Sequence, residues 1–189
     1  YLRIDQSEPP DVRLVFQNPA LLASLTVKEN VGFLLKNNTT LSEEKIHKRV
    51  IKCLEGVGLY DVENKFPGQL SGGMQKRVSF ARALIDDPLQ KENSIPLLLY
   101  DEPTAGLDPI ACTRIEDLIV KTTDVAGGSS IVVSHVFSTI ERTSNRVLML
   151  YGGKFRWDGS IDEFKQSDNS YVKQFRTGNL LGPMQPEET

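Results

Sequence analysis

Several classes of protein are excluded by what this sequence lacks. Its 189 residues include two cysteines, Cys53 and Cys112, which are too few for a disulfide scaffold and have no metal-ligand spacing. No apolar run approaches the roughly 20 residues needed to span a bilayer, and the N-terminus does not resemble a secretory signal. Lysine and arginine total 22 against 25 acidic residues, a net charge of −3, so nothing indicates a nucleic-acid surface. We expect one globular domain from a reducing compartment.

The sequence also lacks the pattern G-x-x-x-x-G-K-[ST], whose backbone N–H groups and lysine cradle nucleotide phosphates. Its only Gly-Lys pair is Gly153-Lys154, followed by Phe155. The surrounding stretch, residues 147–157, has the pattern of a β-hairpin and not of a phosphate-binding loop.

The most informative stretch that is present is an apolar run, Leu97 to Tyr100, that ends in Asp101 and Glu102. A short apolar run bounded by prolines predicts a buried parallel strand. Ligands of open α/β sheets bind at the carboxyl ends of such strands, and successive strand residues point to opposite sides. One carboxylate therefore suits Mg²⁺ and the other an attacking water. A strand that merely ends in a charged turn is the simpler alternative.

A second informative stretch reads L-S-G-G-M-Q-K-R from Leu70 to Arg77. Ser71 suits the N-cap of a helix, and Gly72 and Gly73 present no side chain that would block a phosphate at the helix N-terminus. A plain glycine-rich helix start is the alternative. We expect Lys76, Arg77 and Arg82 to be structural or surface charges and not ligands.

Three further polar residues follow predicted turns or strands. Gln17 comes after a predicted strand, Val12 to Phe16, and Asp108 ends a turn and caps a helix that has Pro109 at its first position. His135 comes directly after residues 130–134, which we expect to form another buried strand at the same end of the sheet.

The remaining segments are predicted from helix signals. Thr26 and Glu29 have capping-box spacing, and Ser42 can cap a second helix that ends near Gly58. We expect residues 18–70 to form a helical subdomain, residues 86–96 a polar connection without chemistry, and residues 159–189 a helical tail, all within a single domain, 1–189.

The order of Gln17, L-S-G-G, strand-D-E, G-L-D and strand-S-H resembles the nucleotide-binding subunit of ABC transporters over nearly the whole chain. The resemblance implies an α/β fold of the P-loop NTPase type: a parallel sheet flanked by helices, with a small α-helical subdomain. It also implies an ATPase that uses ATP and Mg²⁺. Because the phosphate-binding loop of this family precedes the glutamine, we expect the chain to lack its N-terminal part.

The resemblance further implies roles for individual residues. Asp101 holds the metal, and Gln17 contacts the metal or the water. Glu102 polarises the water, and His135 contacts the γ-phosphate. In this family, two subunits share each ATP site. Five residues of this chain would complete the site of its partner subunit: Ser71, Gly72, Gly73, Gln75 and Asp108.

The tail, together with E-N-V-G-F at Glu29 to Phe33, resembles the ATPases of Mla- and TGD-type phospholipid transporters. That branch implies an integral permease, an MCE-type lipid-binding subunit and no nucleic acid. It implies a peripheral location on the cytoplasmic face of an inner membrane, or on the stromal face of the plastid envelope. Residues 19–33 are the expected permease surface, although their apolar side chains could instead pack the subdomain core.

Other interpretations remain open at this point. A degenerate, non-hydrolytic ABC subunit would also lack the phosphate-binding loop, although Glu102 and His135 favour an active enzyme. An ABC-type ATPase of another process, such as DNA repair, would need a long coiled coil between Gln17 and Ser71. That interval is short and carries no sustained heptads.

Overall fold

The computed structural model describes residues 11–85, 96–126 and 129–185, which fall into two compact units, 1–133 and 134–189. The expected connection at 86–96 lies outside the described residues except for Pro96. Within the described ranges, no helix is long and apolar enough to cross a membrane.

The first unit is built around a parallel sheet in the order β1-β2-β3, with β1 at Val12–Val15, β2 at Leu97–Asp101 and β3 at Ser129–Val133. Val15 is opposite Tyr100, and Asp101 is opposite Val133. The predicted strand that carries the two acids is therefore confirmed, and it is hydrogen-bonded on both sides.

Four α-helices accompany this sheet in the described part of the unit: α1 (Val27–Asn38), α2 (Glu43–Gly56), α3 (Gly72–Leu84) and α4 (Pro109–Ala126). Thr26 and Glu29 form the predicted capping box at the start of α1. Ser42 occupies the N-cap position of α2, but its side chain makes no capping hydrogen bond. A short 3₁₀ turn, Pro67–Gln69, precedes α3.

Aromatic stacking joins α3 to the sheet in the core of the first unit. The rings of Phe80 and Tyr100 are stacked with centroids 5.2 Å apart, and both side chains are fully buried. The Tyr100 hydroxyl shares a hydrogen bond of 2.9 Å with the Thr122 hydroxyl on α4. Burial raises the pKa of Tyr100.

The strand at residues 130–134 was expected to be buried, and this expectation is wrong. β3 forms as predicted, but Ile131 and Val133 are 50% and 56% exposed. Alternate residues of a strand point to opposite faces, and these two lie on a face that the described residues leave uncovered. An apolar sequence run predicts a strand without showing what covers it.

The second unit begins with helix α5 (Phe137–Thr143), followed by an antiparallel hairpin of β4 (Arg146–Tyr151) and β5 (Lys154–Ser160). Helices α6 (Ile161–Gln166) and α7 (Ser170–Thr177) complete it. Phe164 is the centre of its small core and contacts the rings of Trp157 and Phe175 edge to face. The hairpin around Gly153-Lys154 is confirmed. The boundaries 18–70 and 159–189, and the single domain 1–189, stay predictions.

Candidate functional site

The two acids lie at the carboxyl end of β2. Asp101 is the last strand residue and is exposed. Glu102 has a φ of 42°, and its N–H donates to the Val133 carbonyl at 2.9 Å. A left-handed backbone costs a non-glycine residue about 1–3 kcal/mol and is found preferentially at functional sites. The chain thus turns sharply between the two carboxylates.

Gln17 reaches the same edge of the sheet from the neighbouring strand. β1 runs parallel to β2 and ends at Val15, opposite Tyr100, so Gln17 follows the carboxyl end of β1 just as Asp101 ends β2. Its side chain is exposed. His135 follows β3 by two residues, at the start of the second unit, and is also exposed. The described geometry therefore brings Gln17, Asp101 and Glu102 to one edge.

A cavity of about 350 Å³ lies between the start of α3 and the start of α4. Ser71 caps α3 by accepting a hydrogen bond from the Met74 N–H at 3.3 Å. A Cβ added at Gly72 would meet no atom within 4 Å, and one at Gly73 would lie 3.9 Å from the Ala111 Cβ. A side chain at either position would therefore not clash with the described part of the chain. The absence of side chains at Gly72 and Gly73 instead leaves the cavity open.

Asp108 forms the opposite wall of this cavity. Its carboxylate accepts hydrogen bonds from the N–H groups of Ile110 and Ala111, both at 3.0 Å. The preceding turn passes through Gly106 at a φ of 73°, a conformation that favours glycine. The predicted capping role of Asp108 is confirmed, and Asp108 also lines the cavity.

Two guanidinium groups give the cavity positive charge. Arg77 and Arg114 both line it, and Arg77 donates to the Gly58 carbonyl at 2.8 Å. The pKa of Arg77 is lowered by burial and, to a smaller extent, by the positive charge of Arg114. Against the single carboxylate of Asp108, the two guanidinium groups leave the cavity with a net positive charge beside a helix N-terminus. This arrangement favours an anion such as a phosphate group.

Gln75 is not among the residues that line the cavity. Its side-chain amide donates to the carbonyls of Pro67 and Leu70 at 3.1 and 3.3 Å. These bonds hold the loop that leads into α3. A nucleotide contact from Gln75 stays a prediction. In the structure, its side chain stabilises the loop before α3.

Two functional candidates were not identified as such from the sequence. Lys76 is 6% exposed, and its amine donates to backbone carbonyls in the loop after Glu102. Burial lowers its pKa. Asn30 is 1% exposed and organises the segment before α1. Neither residue has a local sequence signal, because the groups that each contacts are set by the fold.

Asp101 is the candidate ligand for Mg²⁺ at the edge of the sheet. Within the described ranges, no group of three His, Cys, Asp or Glu side chains could hold a metal ion. Mg²⁺ is usually held by one or two carboxylates, with phosphate and water oxygens as the other ligands. Asp101 at the open sheet edge fits that arrangement.

Solved structures with a similar fold include ATP-binding cassettes. An ATP-binding cassette solved as a dimer, in a post-hydrolysis state bound to ADP and Pi, has a TM-score of 0.67 and 31% identity. The match covers 80% of this chain and 63% of that chain. The fold is therefore that of an α/β ATP-binding cassette. The family model described as ABC transporter matches residues 3–105, and the chain belongs to this family.

Curated relatives include a chloroplastic plant protein and a bacterial ATP-binding protein of methionine import. Protein TRIGALACTOSYLDIACYLGLYCEROL 3, chloroplastic, from Arabidopsis thaliana is 50% identical over 182 residues, covering 92% of this chain and 53% of that protein. The methionine import ATP-binding protein MetN from Lactobacillus johnsonii is 34% identical over 93% of this chain and 48% of its own length. The chain thus spans about half the length of these relatives.

Proposed function

We propose that this chain is the ATP-binding and ATP-hydrolysing part of an ABC transporter. The observation that carries the proposal is the pair Asp101 and Glu102, which ends a parallel strand in a left-handed turn at the ligand-binding edge of the sheet. Family membership and the anion-suited cavity beside Ser71 support the same interpretation.

In the proposed reaction, water attacks the γ-phosphorus of ATP, the bond to the β-phosphate oxygen breaks, and ADP and inorganic phosphate leave. Asp101 would help to hold Mg²⁺, and Gln17 would contact Mg²⁺ or the attacking water. Glu102 orients that water. Glu102 accepts its proton, and His135 contacts the γ-phosphate. Catalysis of this kind consists mostly of positioning and charge stabilisation.

The cavity beside α3 would serve a second subunit. Ser71, Gly72 and Gly73 present a helix N-terminus and open space, which suits a phosphate bound mainly by another chain. Asp108 lies on the opposite wall. Two subunits would thus enclose two ATP molecules, and the solved dimer of a similar cassette is consistent with this arrangement.

We propose residues 19–33 as the docking surface for an integral membrane permease. A groove of about 460 Å³ in this region has four apolar side chains among its lining residues, Phe16, Leu22, Phe33 and Leu34. Each of the four is 42–51% exposed. An apolar patch on a water-facing surface is typical of a protein interface.

Among transported substrates we favour a phospholipid. Its support is the 50% identity to the Arabidopsis protein, which exceeds the 34% identity to the methionine importer. The location would then be peripheral, on the cytoplasmic face of an inner membrane or the stromal face of the plastid envelope, with an MCE-type subunit as a further partner. Stimulation of ATP hydrolysis by phospholipid, but not by methionine, in the reconstituted transporter would test this choice.

The test of the enzymatic proposal is Glu102→Gln in the complete gene product. The amide cannot accept the proton of water, so we expect turnover to fall about 10²–10⁴-fold while ATP binding and dimerisation persist. Glu55→Gln, at an exposed position of α2, is the matched control and should hydrolyse ATP at the wild-type rate. Phosphate release from Glu102→Gln at the wild-type rate would refute the role of Glu102.

A further inference from the structure

Lys76 joins the two parts of the candidate site. It lies in the second turn of α3, the helix whose N-terminus borders the cavity, and its side chain is 6% exposed. Its Nζ atom lies 3.4 Å from the Glu102 carbonyl, 3.0 Å from that of Pro103 and 2.9 Å from that of Ala105.

An ammonium group has three N–H donors, and here three carbonyls of one short loop surround it. Hydrogen bonds from a charged donor are stronger than neutral ones, most of all away from water. Backbone hydrogen bonds also close the loop, from the Ala105 N–H to the Glu102 carbonyl at 3.1 Å and from the Leu107 N–H to the Thr104 carbonyl at 3.2 Å. It begins at Glu102, whose left-handed backbone needs support from its surroundings.

We propose that Lys76 is a positioning residue that fixes the backbone of Glu102 to helix α3, so that the carboxylate keeps its place when the helix N-terminus takes up a phosphate. The inference rests on the proposed hydrolytic function. Lys76 acts through Glu102 by way of backbone carbonyls and is not itself a catalytic residue. Gly73 and Lys76 are three residues apart on one helix, so a shift of α3 at the cavity is transmitted to the carbonyls.

The test compares Lys76→Met with Lys76→Arg in the complete gene product. Methionine fills similar space without donors, whereas arginine keeps the charge and the N–H groups. We expect Lys76→Met to lower kcat about 10- to 100-fold, as a misplaced catalytic group does, with little change in KM for ATP. Lys76→Arg should recover most of this loss.

Arg176→Met is the matched control. The Arg176 guanidinium also donates to backbone carbonyls, including that of Phe164 at 3.0 Å, but within the second unit. Its removal should leave kcat unchanged. An equal loss of kcat in Arg176→Met and Lys76→Met, or no recovery by arginine, would overturn the positioning role.

Amide hydrogen exchange separates this inference from the proposed function. Lys76→Met should speed exchange at Ala105 and Leu107, whose N–H groups close the loop, whether or not the protein hydrolyses ATP. Unchanged exchange at both amides would refute the inference even if turnover fell. Absence of turnover in the wild-type protein would refute the proposed function alone. If Lys76→Met does not fold, Lys76→Gln, with two donors and no charge, takes its place with the same expected directions.

Discussion

Asn30 offers a sharp test of how the proposed permease surface is held together. The Leu22 N–H donates to its side-chain oxygen at 2.7 Å. Its amide nitrogen donates to the carbonyls of Leu22, Leu25 and Thr26 at 3.1, 3.1 and 3.0 Å. Asn30→Ala removes all four hydrogen bonds from a side chain that is 1% exposed, and we expect it to destabilise the protein.

The magnitude follows from the groups that would be left without these bonds. The Leu22 carbonyl still accepts from the Leu25 N–H at 3.1 Å, and the Thr26 carbonyl still accepts from the backbone N–H of Asn30 at 2.9 Å. The Leu22 N–H and the Leu25 carbonyl lose the partner that Asn30 supplied. An unsatisfied buried group costs about 1–3 kcal/mol, and water can reach the exposed residue Leu22. We therefore expect a loss of about 1–3 kcal/mol in the free energy of unfolding.

Urea unfolding of Asn30→Ala and Asn37→Ala measures this loss against a matched control. Asn37 lies on the same helix, and its amide donates to the Phe33 carbonyl at 2.7 Å from an exposed position. Both changes replace Asn by Ala in α1, so the gain in helix propensity largely cancels. We expect Asn37→Ala to stay within about 0.5 kcal/mol of wild type. Equal unfolding free energies for the two variants would refute the reasoning.

Two further predictions concern packing in the first unit. Tyr100→Phe removes the 2.9 Å hydrogen bond to Thr122 but keeps the Phe80 stack, and Thr122 still donates to the Ile119 carbonyl. It should cost about 1 kcal/mol in urea unfolding, whereas no loss relative to Tyr60→Phe, at an exposed position, would contradict this. Gly56→Ala has no atom within 4 Å of the new Cβ and should stabilise by up to about 1 kcal/mol. Gly32→Ala would place its Cβ 3.1 Å from Ile46 and 3.2 Å from Val50, so crowding between α1 and α2 should offset that gain. Equal stabilisation by both alanines in urea unfolding would contradict the expected crowding at Gly32.

Features with a local chemical cause could be predicted from the sequence. The N-cap bonds of Thr26, Ser71 and Asp108 each join groups two or three residues apart, and such spacing is visible in the chain itself. The strand that ends at Asp101 was equally visible, because its apolar run and flanking prolines are continuous in sequence.

Features that depend on distant segments could not be predicted. The carbonyls that Lys76 contacts lie 26–29 residues further along the chain, and nothing in Q-K-R distinguishes this buried lysine from a surface one. The motif predicts a nucleotide contact for Gln75, but it does not indicate that the Gln75 amide donates to the carbonyls of Pro67 and Leu70. Ile131 and Val133 have the composition of a buried strand but lie on a face that no described residue covers.

Helix α3 links the signature-like motif to the loop that follows the proposed catalytic acids. Its first turn borders the cavity with Gly72 and Gly73, and its second turn holds the Glu102 loop through Lys76. A phosphate that binds more tightly to one position of α3 shifts the helix toward that position. By thermodynamic linkage, a change that holds α3 in that position strengthens phosphate binding by the same free energy. Since Lys76 joins the helix to the carbonyls of Glu102, Pro103 and Ala105, the proposed second subunit and the proposed hydrolytic carboxylate would be coupled through one side chain. That coupling should weaken when its three N–H donors are removed, even though every residue that contacts the nucleotide remains.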